Sequence, residues 1–181
     1  MIEIIVAIAI IILFSMILVS DYPKIRRQFA LSRSVYRLAQ DLRKAQDLGL
    51  SGVKIAGIEE AKGYGIFISS EADKNRQYMI YADNCPLLLL DNKYTIIAGV
   101  CADSIIEIVD ISKAEREVYI KEITNIDGDY TSINFNPPNP NIAIDNISSG
   151  EDSIEIVLAL DFDENVTRAV YVNVSGLIEV K

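Results

Sequence analysis

Residues 2–19, IEIIVAIAIIILFSMILV, decide how this chain must be built. The stretch carries one charge, Glu3, and no Gly or Pro, and only Ser15 interrupts the apolar run over 4–19. A helix rises about 1.5 Å per residue, so a run of this length predicts a segment able to span a bilayer. A carboxylate in hydrocarbon costs on the order of 3 kcal/mol on insertion scales, so Glu3 needs a partner or a route to the interface. Two readings stay open. In one, Glu3 sits among headgroups at the helix start, where the macrodipole favours an anion. In the other, it meets a positive group on a neighbouring chain at the same depth. A cleaved signal peptide is the poorer reading of the run. It lacks a basic leader, its apolar core exceeds the usual length, and Leu18-Val19-Ser20 is a weak small-x-small site.

Working outward, Asp21-Tyr22-Pro23 punctuates the first helix, and proline there predicts a kink or a brief break. Helical spacing then resumes. Leu31, Val35, Leu38, Leu42 and Ala45 recur every three or four residues as one apolar stripe. Arg33, Arg37, Asp41 and Lys44 fall on the other side, with Arg37 and Asp41 spaced as an i,i+4 pair. Gly49 and Gly52 signal the end. The expectation is one bent helix reaching about Leu48, its second half amphipathic and covered by the rest of the chain.

Everything after Ser51 reads as strands: 63–69, 78–83, 94–98, 104–110, 118–124, 131–136, 154–161, 168–174 and 177–180. The alternation in Thr131-Ser132-Ile133-Asn134-Phe135 fits a half-exposed antiparallel strand. The Pro-rich cluster at 137–140 marks an edge or a crossover. One helix followed by runs of strands is the α+β class, a long bent N-terminal helix packed on an antiparallel sheet. The organisation that follows is a membrane half at 1–20, a basic helical stem at 21–50 and a β-rich head at 51–181.

Charge divides along the same lines. The 181-residue chain has a formal charge of −9. Over 22–48 the bases are Lys24, Arg26, Arg27, Arg33, Arg37, Arg43 and Lys44, against Asp41 and Asp47 alone; beyond Leu48 there are 22 acids against 10 bases. An acidic head argues against DNA as the default partner. The stem cations are expected to meet the acidic heads of neighbouring copies. The chain has no His, which removes the commonest general base and metal ligand, and an enzyme is not expected. Cys85 and Cys101 are too few for a zinc site. Outside the cytoplasm they can pair, closing a loop worth roughly 3 kcal/mol; otherwise they are two buried thiols.

The segment IEIIVAIAIIIL, a helix-continuing stem and a β-rich head together resemble type IV pilins and pseudopilins. In that family a short basic leader ending in Gly precedes a mature start of the form Phe-Thr-Leu-(Ile/Val)-Glu. Ile2-Glu3 matches the last two of those residues and Met1 stands at the Leu, and an in-frame basic leader ending in Gly-Phe-Thr-Leu upstream of Met1 would settle the family. Further along, 38–45 (LAQDLRKA), 63–68 (GYGIFI), 78–84 (YMIYADN) and 174–180 (VSGLIEV) are similar to the H-type minor pseudopilins of type II secretion and related minor pilins. The resemblance implies a structural subunit without cofactors, in which Ile2 and Glu3 serve assembly and Glu3 pairs with the N-terminal amine of an adjacent subunit. It also implies a single-pass inner-membrane location with the head outside the cytoplasm, then a filament. The implied partners are other subunits, an inner-membrane assembly platform and, given a leader, a prepilin peptidase; nucleic acid enters only through a DNA-uptake pilus. The opposing class is a monomeric, membrane-anchored module whose head binds glycan, peptide or DNA.

Asp161, Asp163 and Asn165 cluster oxygen ligands near the C-terminal end, where some pseudopilins hold calcium. As an EF-hand loop the segment fails, because Val166 and Val172 replace the required Gly and Glu. A polar hairpin turn is the better reading, as it is for Asp127-Gly128-Asp129.

Overall fold

The computed structural model describes residues 2–52, 61–84, 93–97, 101–136 and 142–181, with the backbone alone at 17–21, 96–97 and 101. Helix α1 runs unbroken over Ile2–Ser51 and contains Pro23. Of the kink or brief break expected at Pro23, the break does not occur. Proline removes one i→i−4 hydrogen bond, and the turns on either side carry the helix across. Gly52, at φ +58°, takes the left-handed conformation that ends a helix cheaply. Gly49, expected as a second stop signal, lies inside the helix and serves another purpose. A Cβ there would stand 2.5 Å from the Phe135 carbonyl oxygen, so glycine lets the helix approach the sheet at backbone contact.

The head is α+β with antiparallel pairing throughout, in two main sheets rather than the one expected. The first joins β1 (Gly63–Ser69), β2 (Gln77–Asp83), β5 (Ser104–Asp110), β7 (Tyr130–Phe135) and β8 (Ile142–Ile144) in the order β5-β2-β1-β7-β8. The second joins β6 (Val118–Thr124), β9 (Ser153–Leu160), β10 (Asp163–Asn173) and β11 (Ile178–Val180) in the order β11-β10-β9-β6. A short ribbon pairs β3 (Ile96–Ile97) with β4 (Cys101–Ala102). The chain first passes from one main sheet to the other through α2 (Ile111–Ala114), where the Asp110 carboxylate accepts from the Lys113 N–H at 3.2 Å. The Ser112 hydroxyl, 2.6 Å away, helps to hold that carboxyl below its usual range.

The stripe read on α1 is the keystone. Leu31, Val35, Leu38, Leu42 and Ala45 are at most 1% exposed. They belong to one continuous cluster with Ile66, Ile80 and Ile133 of the first sheet and Ile120, Ile156 and Val170 of the second. Burying each large side chain is worth about 1.5–3 kcal/mol, so the stripe dominates the docking of helix on head.

Polar contacts then fix the register. Tyr78 Oη donates to Asp41 Oδ2 at 2.5 Å, and burial, reinforced by that carboxylate, drives the phenol pKa far up. Arg43 Nη2 donates to the Ile178 carbonyl at 3.1 Å and Gln46 Nε2 to that of Gly176 at 3.2 Å.

The strand expected to be half-exposed is buried on both faces. On β7, Ser132 is 1% exposed and Asn134 fully buried. The Ser132 hydroxyl accepts from the Tyr94 N–H at 3.0 Å, and Asn134 Nδ2 donates to Asp83 Oδ2 at 3.0 Å. Alternation in the sequence was real, but the outward face is covered by the segment carrying Tyr94 and Thr95.

Gly49→Ala tests the close approach. In an exposed helix interior this change stabilises by up to about 1 kcal/mol. Here it is expected to destabilise the chain by about 1–3 kcal/mol, the usual range for overpacking, as measured by urea denaturation. A variant as stable as the parent contradicts the backbone contact.

Candidate functional site

Every described side chain of residues 2–16 is exposed, and Ile2, Ile5, Ile11, Leu13, Phe14 and Met16 range from 63% to 76%. The cause is geometric. Among the described side chains the head covers α1 only from Arg27 onward, and Ala30 is the first buried one. Over its described side chains, 2–16, the apolar half is therefore a free-standing rod, greasy around its circumference beyond Glu3. Soluble proteins rarely leave contiguous apolar surface of this extent bare, so it marks a contact with lipid or with protein. Glu3 lies in the first turn of the rod and Ile2 beside it, both exposed. Among the described residues no helix is long and apolar enough to cross a membrane. The described side chains of the run stop at Met16, so the membrane-spanning expectation rests on the sequence of 4–19.

The outer face of the stem extends the apolar surface. Ile25, Phe29 and Tyr36, at 49%, 60% and 53% exposure, share one side of α1 by their spacing. No sequence pattern singled them out, because only the inward stripe is periodic enough to notice.

The stem cations meet carboxylates of this same chain. Arg27 pairs with Glu117 at 2.8 Å, Arg33 with Glu115 at 2.6 Å and Lys44 with Glu107 at 3.0 Å, while Arg37 stands 3.9 Å from Asp41. The charge split between stem and head is thus used inside the subunit, and the pairing expected between copies loses those cations. Arg27 also lies over the Phe162 ring at 4.5 Å.

Asp161 and Phe162 form the hairpin turn between β9 and β10, and Asp163 and Asn165 lie at the start of β10. Leu160 pairs with Asp163, and the register shifts between Asp163 and Thr167. Asp161 is held by Arg76 at 2.7 Å, and Asp163 Oδ1 accepts from the Asn165 N–H at 3.2 Å. Among the described residues no group of three or more His, Cys, Asp or Glu is placed to hold a metal ion. Asp127-Gly128-Asp129 is a bend, with Gly128 at φ +128°. Cys85 and the side chain of Cys101 lie outside the described residues, as do residues 137–140.

Sequence reasoning missed a buried polar cluster beside β7. Asp83 and Asp103 are 1% and 5% exposed; Asp103 accepts from the Thr95 N–H at 2.8 Å and the Asn84 N–H at 3.2 Å. These bonds fasten the covering segment to the sheet, a structural role. No family model, curated protein or solved structure matches the chain.

A chain starting at residue 25 is expected to keep the folded head. Its far-UV and near-UV circular dichroism should match the full chain in detergent, with the midpoint shifted by no more than a few degrees. Loss of the near-UV signal would mean that the rod supports the head after all.

Proposed function

We propose that the chain is a structural subunit of a pilin-like filament, a minor pilin or a pseudopilin, that polymerises through the apolar half of α1. The observation that carries the reading is the continuity of α1: the rod and the docked stem are one helix, over Ile2–Ser51. A rigid joint lets contacts made by the rod set the position of the head. A flexible tether, which suits an anchored binding module, would be rich in Gly, Ser or Pro and lack helical bonding. The outward Ile25, Phe29 and Tyr36 favour the same reading, since they prolong a helix-packing surface beyond the membrane run.

In this scheme the rod waits in the inner membrane with the head outside the cytoplasm, then moves into a filament core. Lipid tails are as apolar as Leu, so that transfer gains little from the hydrophobic effect. Packing and polar pairing must supply the preference. Glu3 is the one charge in the run, and pairing with the terminal amine of a neighbour removes the cost of keeping it in an apolar place. Sister subunits, an assembly platform and, for a chain with a leader, a prepilin peptidase are the partners. The role is structural and needs no cofactor or catalysis.

Glu3→Ala separates insertion from assembly. Alkali-resistant membrane association should persist or improve, because the least lipid-compatible residue is gone. Recovery in sheared fibres, with the assembly machinery present, should fall about ten-fold or more for a pairing on the scale of 3 kcal/mol. Equal incorporation of variant and parent would remove the pairing role.

A further inference from the structure

At the foot of the head, where α1 leaves the apolar run, a cleft of about 470 Å³ opens between the helix and the α2 turn. Its cations come from two distant parts of the sequence: Arg26 and Arg27 from the stem, Lys113 and Arg116 from α2 and the residues after it. The acids lining it, Glu115 and Glu117, are engaged by Arg33 and Arg27. Asp110 caps α2 and stands 3.9 Å from Lys113, whose side chain is 85% exposed. Arg26 and Arg116 are exposed and make no side-chain ion pair or hydrogen bond among the described residues. In a chain of net charge −9, this cleft therefore concentrates three cations whose charge is little offset.

Its depth matters as much as its charge. Arg26 lies about 10 Å along the helix from Val19, where the apolar run ends. Headgroups occupy roughly 5–8 Å beyond the hydrocarbon edge, and Arg and Lys side chains bend back toward that plane. Tyr22, 66% exposed, lines the same cleft, and tyrosine is enriched at that level of a membrane.

We propose that this cleft binds the phosphate headgroup of an anionic phospholipid from the leaflet that holds the rod. Arg26, Lys113 and Arg116 supply the charge, and Tyr22 lies along the glycerol region. The inference rests on the membrane stage of the function proposed above. It adds that the lipid grips head and stem together, because its cations come from both.

The test uses the full chain in vesicles of equal phosphatidylglycerol and phosphatidylcholine. Insertion is scored by flotation and alkali resistance, and retained lipids are counted by native mass spectrometry. The parent should retain phosphatidylglycerol over phosphatidylcholine roughly five-fold or more. The triple variant Arg26→Gln, Lys113→Gln, Arg116→Gln should insert equally and lose the preference. A control of equal charge change, Lys74→Gln, Arg168→Gln, Lys181→Gln, should keep it. Equal retention by parent and triple variant overturns the lipid site while leaving the membrane reading intact. Failure of the parent to insert overturns both. Displacement of the lipid by millimolar inorganic phosphate would make the cleft a free-anion site and overturn the lipid assignment.

Discussion

Burial of one helical stripe beneath two sheets is the constraint on which the rest of the molecule depends. Leu31, Val35, Leu38 and Leu42 are at most 1% exposed, and each contributes more than any single surface ion pair of the stem. The pairs Arg27–Glu117, Arg33–Glu115 and Lys44–Glu107 are partly exposed, so each adds at most about 1 kcal/mol. They select the rotation and register in which the stripe docks; the stripe provides the energy. Because the stripe begins at Ala30, the described apolar side chains of residues 4–16 are left uncovered by their own chain.

That division gives α1 two jobs with opposite demands. From Ala30 to the helix end it must look like the core of a globular domain, with one apolar side and one polar side. Over 4–16 its described side chains are apolar all round apart from Ser15, a surface suited to lipid or to other helices. The bare outward side chains Ile25, Phe29 and Tyr36 lie near the junction and belong to neither the core nor the apolar run. In the proposed filament that exposure would serve contacts with neighbours, and the same stretch of helix carries the cationic cleft.

Much of this was legible in the residues. Strands at 63–69, 104–110 and 118–124 fall where β-rich runs bounded by turn residues predict them, and the five stripe residues are all buried. What escaped was long-range. Thr131-Ser132-Ile133-Asn134-Phe135 alternates as a half-exposed strand does, yet its polar side is covered by residues some forty positions away. The three-residue strand Ile142–Ile144 is too short for periodicity to register. Gly49 reads as a helix stop, while its reason is the Phe135 carbonyl across the interface. The charge split was legible as a pattern, but nothing local says whether an acidic head belongs to this chain or the next, and Arg27, Arg33 and Lys44 find their acids within the chain. The rod was the clearest feature of all, because a run of one polarity needs no tertiary partner to be recognised.

The central claim is that neighbouring copies cover the rod. Photo-crosslinking residues placed at Ile5, Ile8 and Ile12 of the full chain, activated in membranes and again in isolated fibres, test it most directly. The account predicts rod-to-rod adducts between chains, at low yield in the membrane and dominant in fibres. Adducts with lipid alone, at every position and in every preparation, would contradict it and leave a solitary anchored head.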